Sequence, residues 1–369
     1  MVWNDVRNNH PAFIWDEAAL LRAEWLYLGE AGQTAGTAKH LSAAQQTELI
    51  VDALTTDAVA SLELEGRIAE RAEMEDCIRA RLGLVFNEKC GEPFQCGMAE
   101  IAARVLQRSH LPVTLDKLEH LGVRLGGENN VARLNAPAID APLNALAREK
   151  EQSIRDIRRE LTAFLSWYSA IDRVDSLVSP LTQAGLTHLW FETIQPYRFG
   201  TGIAGRALAE KALMWRHPGI PFVPVSPVLL QYKNEYYSTL DRACRDRDAT
   251  EWLLWFAAVS IEAIRRYKTM IHFQREREEL LERFRDQVCR RQEDILLHMF
   301  GLGAEAYAFG MSVSRYSSHS GVPIATVAAD MANLAGCGAL VRNVRGKAVR
   351  YHLNVTPPVA KRVSPEEIR

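Results

Sequence analysis

Apolar residues recur every three to four positions along most of the chain and strict alternation is rare, so the pattern predicts a mainly α fold. The first segment, from Trp3 to about Gly29, sets Trp15, Leu20, Leu21, Trp25 and Leu28 at helical spacing. The small-residue run GEAGQTAGTAKH predicts a break after it. A long pattern from near Ser42, LSAAQQTELIVDALTTDAVASLELEGRIAERAEMEDCIRARLGL, predicts at least two helices separated near Gly66. Between Pro112 and Pro142 the glycines, asparagines and prolines predict a loop or weak hairpin. Helical spacing returns from about Leu143 to Ile171 and again from Leu181. The stretch GIPFVPVSPVLL is too rich in proline to continue a helix. Helices then run almost without pause from Lys233 to Met299, and the charge-dense part from Arg265 to Phe300 suits a solvated connecting helix.

The last segment changes character. SVSRYSSHSGVPIATVAADMANLAG predicts a short helix, a turn at Gly321 to Pro323 and a second helix through Leu334. Two strands, ALVRNV and AVRYHL, follow about an RGK turn, and this order is that of a winged helix-turn-helix. The wing carries Arg342, Arg345, Lys347 and Arg350 with no acid among them. The helix that would enter a DNA groove offers Thr326, Asp330 and Asn333 but no arginine or lysine. Phosphate contact without base readout, or a protein contact, therefore fits the tail equally.

Composition narrows the picture only a little. The chain has 369 residues, a formal net charge of -2, 47% hydrophobic and 24% charged residues, which is enough for two or three globular domains. A near-zero charge gives no whole-protein attraction to nucleic acid or to an anionic membrane. The amino terminus lacks a basic segment followed by an apolar run, and no apolar stretch reaches the roughly 18 residues of a membrane span. Six scattered cysteines without a paired motif predict reduced thiols, no metal centre and a cytoplasmic protein.

The chemistry concentrates in HLWFETIQPYRFGTGIAGRALAEKAL, from His188 to Leu213. Gly200, Gly202 and Gly205 let backbone N–H groups converge on an anion just ahead of a helix, whose first turn adds partial positive charge. His188, Trp190, Phe191 and Ile194 read as packed core, Tyr197 as an anchor of the loop, and Arg198 as an exposed cation.

This run resembles the loop of the Fic (Fido) family of protein AMP-transferases, H-P-F-x-[D/E]-G-N-G-R-x-x-R, aligned from Gln195 to Arg206. A second element agrees. Members with an N-terminal inhibitory helix carry [S/T]-x-x-x-E-[G/N], and SLELEG spans Ser61 to Gly66. The N-terminal pattern is also similar to that of bacterial members ending in a winged helix. The resemblance implies a Fido helical domain over 101–275, preceded by a helical region with the inhibitory helix over 1–100. A linker helix and winged helix-turn-helix would follow over 276–369. It further implies that Glu65 is inhibitory and pairs with Arg206, and that residues near Glu128 to Pro142 clamp a target peptide as an added strand. That last stretch is poor in β-formers.

Departures from the family pattern fall on the working groups. Gln195 stands at the base position, and an amide cannot take a proton from a hydroxyl; losing a general base alone removes about 10²–10⁴ in rate. Phe199 stands at the acid that helps hold Mg²⁺, and Thr201 and Ile203 stand at phosphate-contacting positions. The expectation is a degenerate Fic protein with no catalytic residue and no metal ligand. Gly200, Thr201, Gly202 and Arg206 remain as a phosphate or nucleotide site, which would take ATP without Mg²⁺ or another anion. The competing expectation is an active adenylyltransferase, autoinhibited by Glu65, in which another residue replaces the base. DNA or a protein at the tail, and a second copy in a homodimer, complete the expected partners.

Overall fold

The computed structural model describes residues 13–85, 93–107, 112–131, 154–171, 178–215, 222–302, 309–345, 348–355, 363 and 365–368. Lys347 of the wing and most of the expected target clamp, from 132 onward, lie outside the described residues. The chain divides into two compact units: residues 1–39, 50–264 and 362–369 form one, and residues 40–49 and 265–361 the other.

The first unit is helical throughout the described residues. Its elements are α1 (Glu17–Ala38), most of α2 (Ala43–Leu64), α3 (Arg71–Arg81), α4 (Pro93–Gln107) and α5 (Leu115–Gly126). They continue with a 3₁₀ turn (Glu128–Asn130), α6 (Ile154–Ile171), α7 (Pro180–Ile194), α8 (Thr201–Trp215), α9 (Ser226–Gln231) and α10 (Lys233–Asp246). The first part of α11 (Thr250–Phe284) completes it, with the short α15 (Pro365–Ile368). The mainly α expectation holds.

Helix α7 is the axis of this unit. Every residue but Glu192 and Thr193 is buried, because its apolar positions occupy all sides rather than one stripe. Ser179 caps it, its Oγ accepting from the Thr182 N–H at 3.1 Å, and Pro180 presets the first turn. The Thr182 hydroxyl in turn donates to Glu24 of α1 at 2.7 Å. Helix α8 packs along α7, and the loop between them is the glycine loop.

Two expectations are corrected. First, the small-residue run does not end α1, which continues through it to Ala38. Tyr27, Ala31, Thr34 and Ala38 are buried on one side, so packing overrides weak helix propensity. Gly29, Gly32 and Gly36 each cost about 0.5–1 kcal/mol relative to alanine, yet a Cβ at any of them would meet nothing within 4 Å among the described residues. Second, the predicted loop after Pro112 contains the twelve-residue α5. Leu118, Gly122 and Leu125 form its buried stripe. Gly122, which suggested a turn, is there for contact: a Cβ would fall 2.4 Å from Val131 Cγ1 and 2.7 Å from the Tyr197 ring.

The second unit includes α12 (Arg290–Gly301), α13 (Val313–Ser320), α14 (Ile324–Gly336), β1 (Leu340–Arg345) and β2 (Ala348–Leu353). Gly321 ends α13 at φ +70°, a left-handed conformation that glycine adopts without strain. The strands pair antiparallel from Leu340↔Leu353 to Arg345↔Ala348. Val327, Met331 and Leu334 of α14 share a core with Ile295, Phe300, Tyr351 and Leu353. The predicted order of helix, turn, helix and hairpin is what forms. Asp330, expected to face outward, is buried and accepts two hydrogen bonds from the Arg291 guanidinium. The thiol expectation also changes: Cys96, Cys244, Cys289 and Cys337 are free, whereas Cys77 is disulfide-bonded. Among the described residues no helix is long and apolar enough to cross a membrane.

The close approach at Gly122 gives a direct check. Gly122→Ala should lower stability by about 1–3 kcal/mol through overpacking, measured by chemical denaturation, despite alanine's higher helix propensity. An unchanged or raised stability would contradict the packing described.

Candidate functional site

The loop runs from Gln195 to Gly200. Gln195 caps α7 in a left-handed conformation, φ 51° and ψ 57°, which is uncommon for a residue with a side chain. The turn away from α7 is fixed by groups distant in sequence. Asn130, buried at the end of the 3₁₀ turn, donates from Nδ2 to the Phe199 carbonyl at 3.0 Å and to the Gly122 carbonyl at 2.8 Å. Its Oδ1 accepts from the Phe199 N–H at 2.8 Å. The Tyr197 hydroxyl donates to the Leu118 carbonyl at 2.7 Å, so the expected anchor is confirmed in position and gains a polar tether. Gly200 (φ +81°) completes the turn against Leu125.

Arg206 lies on the first turns of α8 and is 1% exposed. Its Nε donates to the Ser61 Oγ at 3.0 Å, and its Nη2 to the Ser61 carbonyl at 3.0 Å and to Glu65 Oε1 at 3.1 Å. Nη1 reaches the Tyr236 hydroxyl at 3.5 Å. The predicted Glu65–Arg206 pair is therefore present, between the residue that follows α2 and the helix after the loop. Burial alone would lower the Arg206 pKa, but Tyr236, Glu65 and Glu192 outweigh it and hold the group charged.

Gly202 is where the charges meet. A Cβ there would lie 2.3 Å from Glu65 Oε1, 2.8 Å from Arg206 Nη1 and 3.0 Å from Glu192 Oε1. Two carboxylates thus crowd the mouth of the glycine turn. Glu192 responds: burial first, then the Glu65 charge, pushes its pKa up to about 7, while Arg206 and the Gln195 hydrogen bond pull the other way. That hydrogen bond runs from Gln195 Nε2 to Glu192 Oε2 at 2.6 Å, so the amide donates to an acid.

Phe199 is similarly committed elsewhere. Its ring lies 5.4 Å from that of Phe94, and the Arg67 guanidinium stands 4.2 Å from the Phe199 centroid and 4.5 Å from that of Phe94. The surroundings do not fit Mg²⁺: residue 199 is an aromatic ring held by a cation. Of the nearby carboxylates, Glu65 is paired with Arg206, and burial pushes the Glu192 pKa up to about 7. Thr201 turns inward, its hydroxyl bonding the Tyr197 backbone, and Ile203 is buried. Arg198 is exposed, as expected.

His188 is packed, as expected. Its Nε2 lies 2.8 Å from the Tyr236 hydroxyl, the rings stack at 5.8 Å, and burial followed by Arg206 pushes its pKa down to about 3. Beneath the site lies a buried acid pair, Asp57 on α2 and Glu210 on α8. Burial raises both pKa values, Asp57 raises that of Glu210 further, and for Asp57 the hydrogen bonds with Glu210 and with the Ser226 N–H, accepted at 2.9 Å, pull the other way. Sequence reasoning missed Asn130, Arg67, Phe94, Glu192, Tyr236 and this pair. Only the spacing of Glu192, three residues before Gln195, offered a local signal. An apolar cavity of about 110 Å³ lies on the face of α8 away from Arg206, lined by Ile101, Leu118, Leu121, Ala204 and Leu208.

The raised Glu192 pKa fixes a sign. An acid whose folded pKa exceeds its unfolded value stabilises fully below the latter, and this contribution is lost as pH rises through the former. Glu192→Gln should therefore raise the melting temperature at a pH above about 8, with the gain shrinking toward pH 5. A gain independent of pH, or a loss at alkaline pH, would contradict the crowding of carboxylates at Gly202.

The sequence also has relatives. Residues 3–84 match a family model described as a domain of unknown function (DUF4172). No curated protein matches the sequence. Among solved structures, the chain is similar to a Fic family protein from Desulfovibrio desulfuricans G20. Identity is 17% and the TM-score 0.48, over 94% of this chain and 98% of that one.

Proposed function

We propose that this chain is a Fic-type protein whose transferase chemistry is lost, and that it acts as a regulatory module with a phosphate cradle held shut by α2. The observation that carries this reading is the environment of Arg206. The one cation retained from the loop pattern is bound by Ser61 and Glu65, beside an amide at 195 and an aromatic ring at 199. The motifs at Ser61–Gly66 and Gln195–Arg206 support the Fido assignment, and the pairing of their two charged residues is the contact that assignment implies. When α2 moves, Arg206 and the glycine turn are free to receive ATP or another anion without metal.

The alternative is an active adenylyltransferase held off by Glu65, and the intact Glu65–Arg206 pair is the observation in its favour. The two readings separate on labelled ATP with Mg²⁺, given to the protein and to Glu65→Gly. We expect no covalent label in either, since no group at 195 takes the hydroxyl proton. Labelling of Glu65→Gly above background would establish the alternative.

The tail, read as a winged helix, would touch the DNA backbone through exposed Arg342 and Arg350. Helix α14 turns Ile324, Ala325, Ala332 and Asn333 outward, with no cation to read bases. Affinity for duplex DNA, followed by anisotropy from about 50 to 200 mM salt, should fall steeply with salt. It should also be indifferent to sequence and weaken in the Arg342→Ala/Arg350→Ala variant. A sequence-specific footprint would contradict this.

A further inference from the structure

One face of α1 has no partner among the described residues. Leu21, Trp25 and Leu28 are 51, 74 and 40% exposed. At 3.6 residues per turn they share a strip about 100° wide with Ala18, Gly29, Gly32 and Gly36, and the strip holds no charged residue between Ala18 and Gly36. The three glycines weaken the helix, and among the described residues nothing approaches the space a side chain would fill.

The strip is ordered by size. Its large side chains stand in the N-terminal half and its glycines in the C-terminal half. We propose that α1 pairs with the same helix of a second copy, antiparallel, about a two-fold axis between residues 28 and 29. Trp25 then faces the partner's Gly32, Leu21 the partner's Gly36, and Leu28 the partner's Gly29. Each pair of numbers sums to 57, so one axis satisfies all three and repeats each contact, as an isologous interface demands. The ends match in charge as well as the middle matches in shape. Glu17 borders the strip at one end of α1 and Lys39 caps the helix at the other, and the antiparallel arrangement brings Glu17 to the partner's Lys39. A parallel pair would set Trp25 against its own copy and glycine against glycine, leaving a gap and opposing like charges. Exposed tryptophan over backbone is also the kind of anchor that concentrates binding energy.

The test uses the full chain. Sedimentation equilibrium at micromolar concentration should give a dimer. Trp25→Ala should weaken it at least about tenfold. Gly32→Leu should do the same without lowering the melting temperature, because the added side chain points into open space on a helix. Under mild oxidation Leu28→Cys should form a covalent dimer beyond that of the unmodified protein, and Gly36→Cys should not. A monomeric wild type, or a dimer that survives Gly32→Leu, would overturn the proposal. So would equal cross-linking of the two cysteine variants, which would mark a parallel pair.

Discussion

A guanidinium removed from water must be matched by acceptors, and Arg206 organises the site because of that requirement. Its bonds to Ser61 and Glu65 draw the end of α2 onto α8, and its contact with Tyr236 joins the His188 stack to the same network. Removing one partner would leave buried charge unmatched, a cost of about 3–5 kcal/mol.

The backbone of the loop is held separately from its charges. Asn130, Tyr197 and the close contact at Gly122 fix the turn through main-chain hydrogen bonds and packing, none of which involves position 195, 203 or 206. The shape of the loop is therefore held independently of the side chains at these positions. Phe199 and Gln195 have new local partners in Arg67 and Glu192, so neither is a vacant position in the packing.

What the sequence disclosed and what it hid follow from distance along the chain. Helices α7 and α8, the break at Gly66 and the helix, turn, helix, hairpin tail were legible because periodicity and turn residues are local signals. The Glu65–Arg206 pair was legible only because two separate motifs implied it. Helices α1 and α5 were misread where glycines served contact or an exposed face instead of turns. Asn130 and the Asp57–Glu210 pair had no local mark, since their partners lie 69 residues away in the first case and on another helix in the second. Glu192 looked like one more helical acid until the fold set it beside Glu65 and Gly202.

The central claim is that the protein's own carboxylate holds the anion cradle closed, and calorimetric titration of ATP without metal into wild type and Glu65→Gly tests it most directly. The account predicts no measurable binding to the wild type and clear binding to the variant. Equal affinity in the two proteins, or none in either, would contradict it.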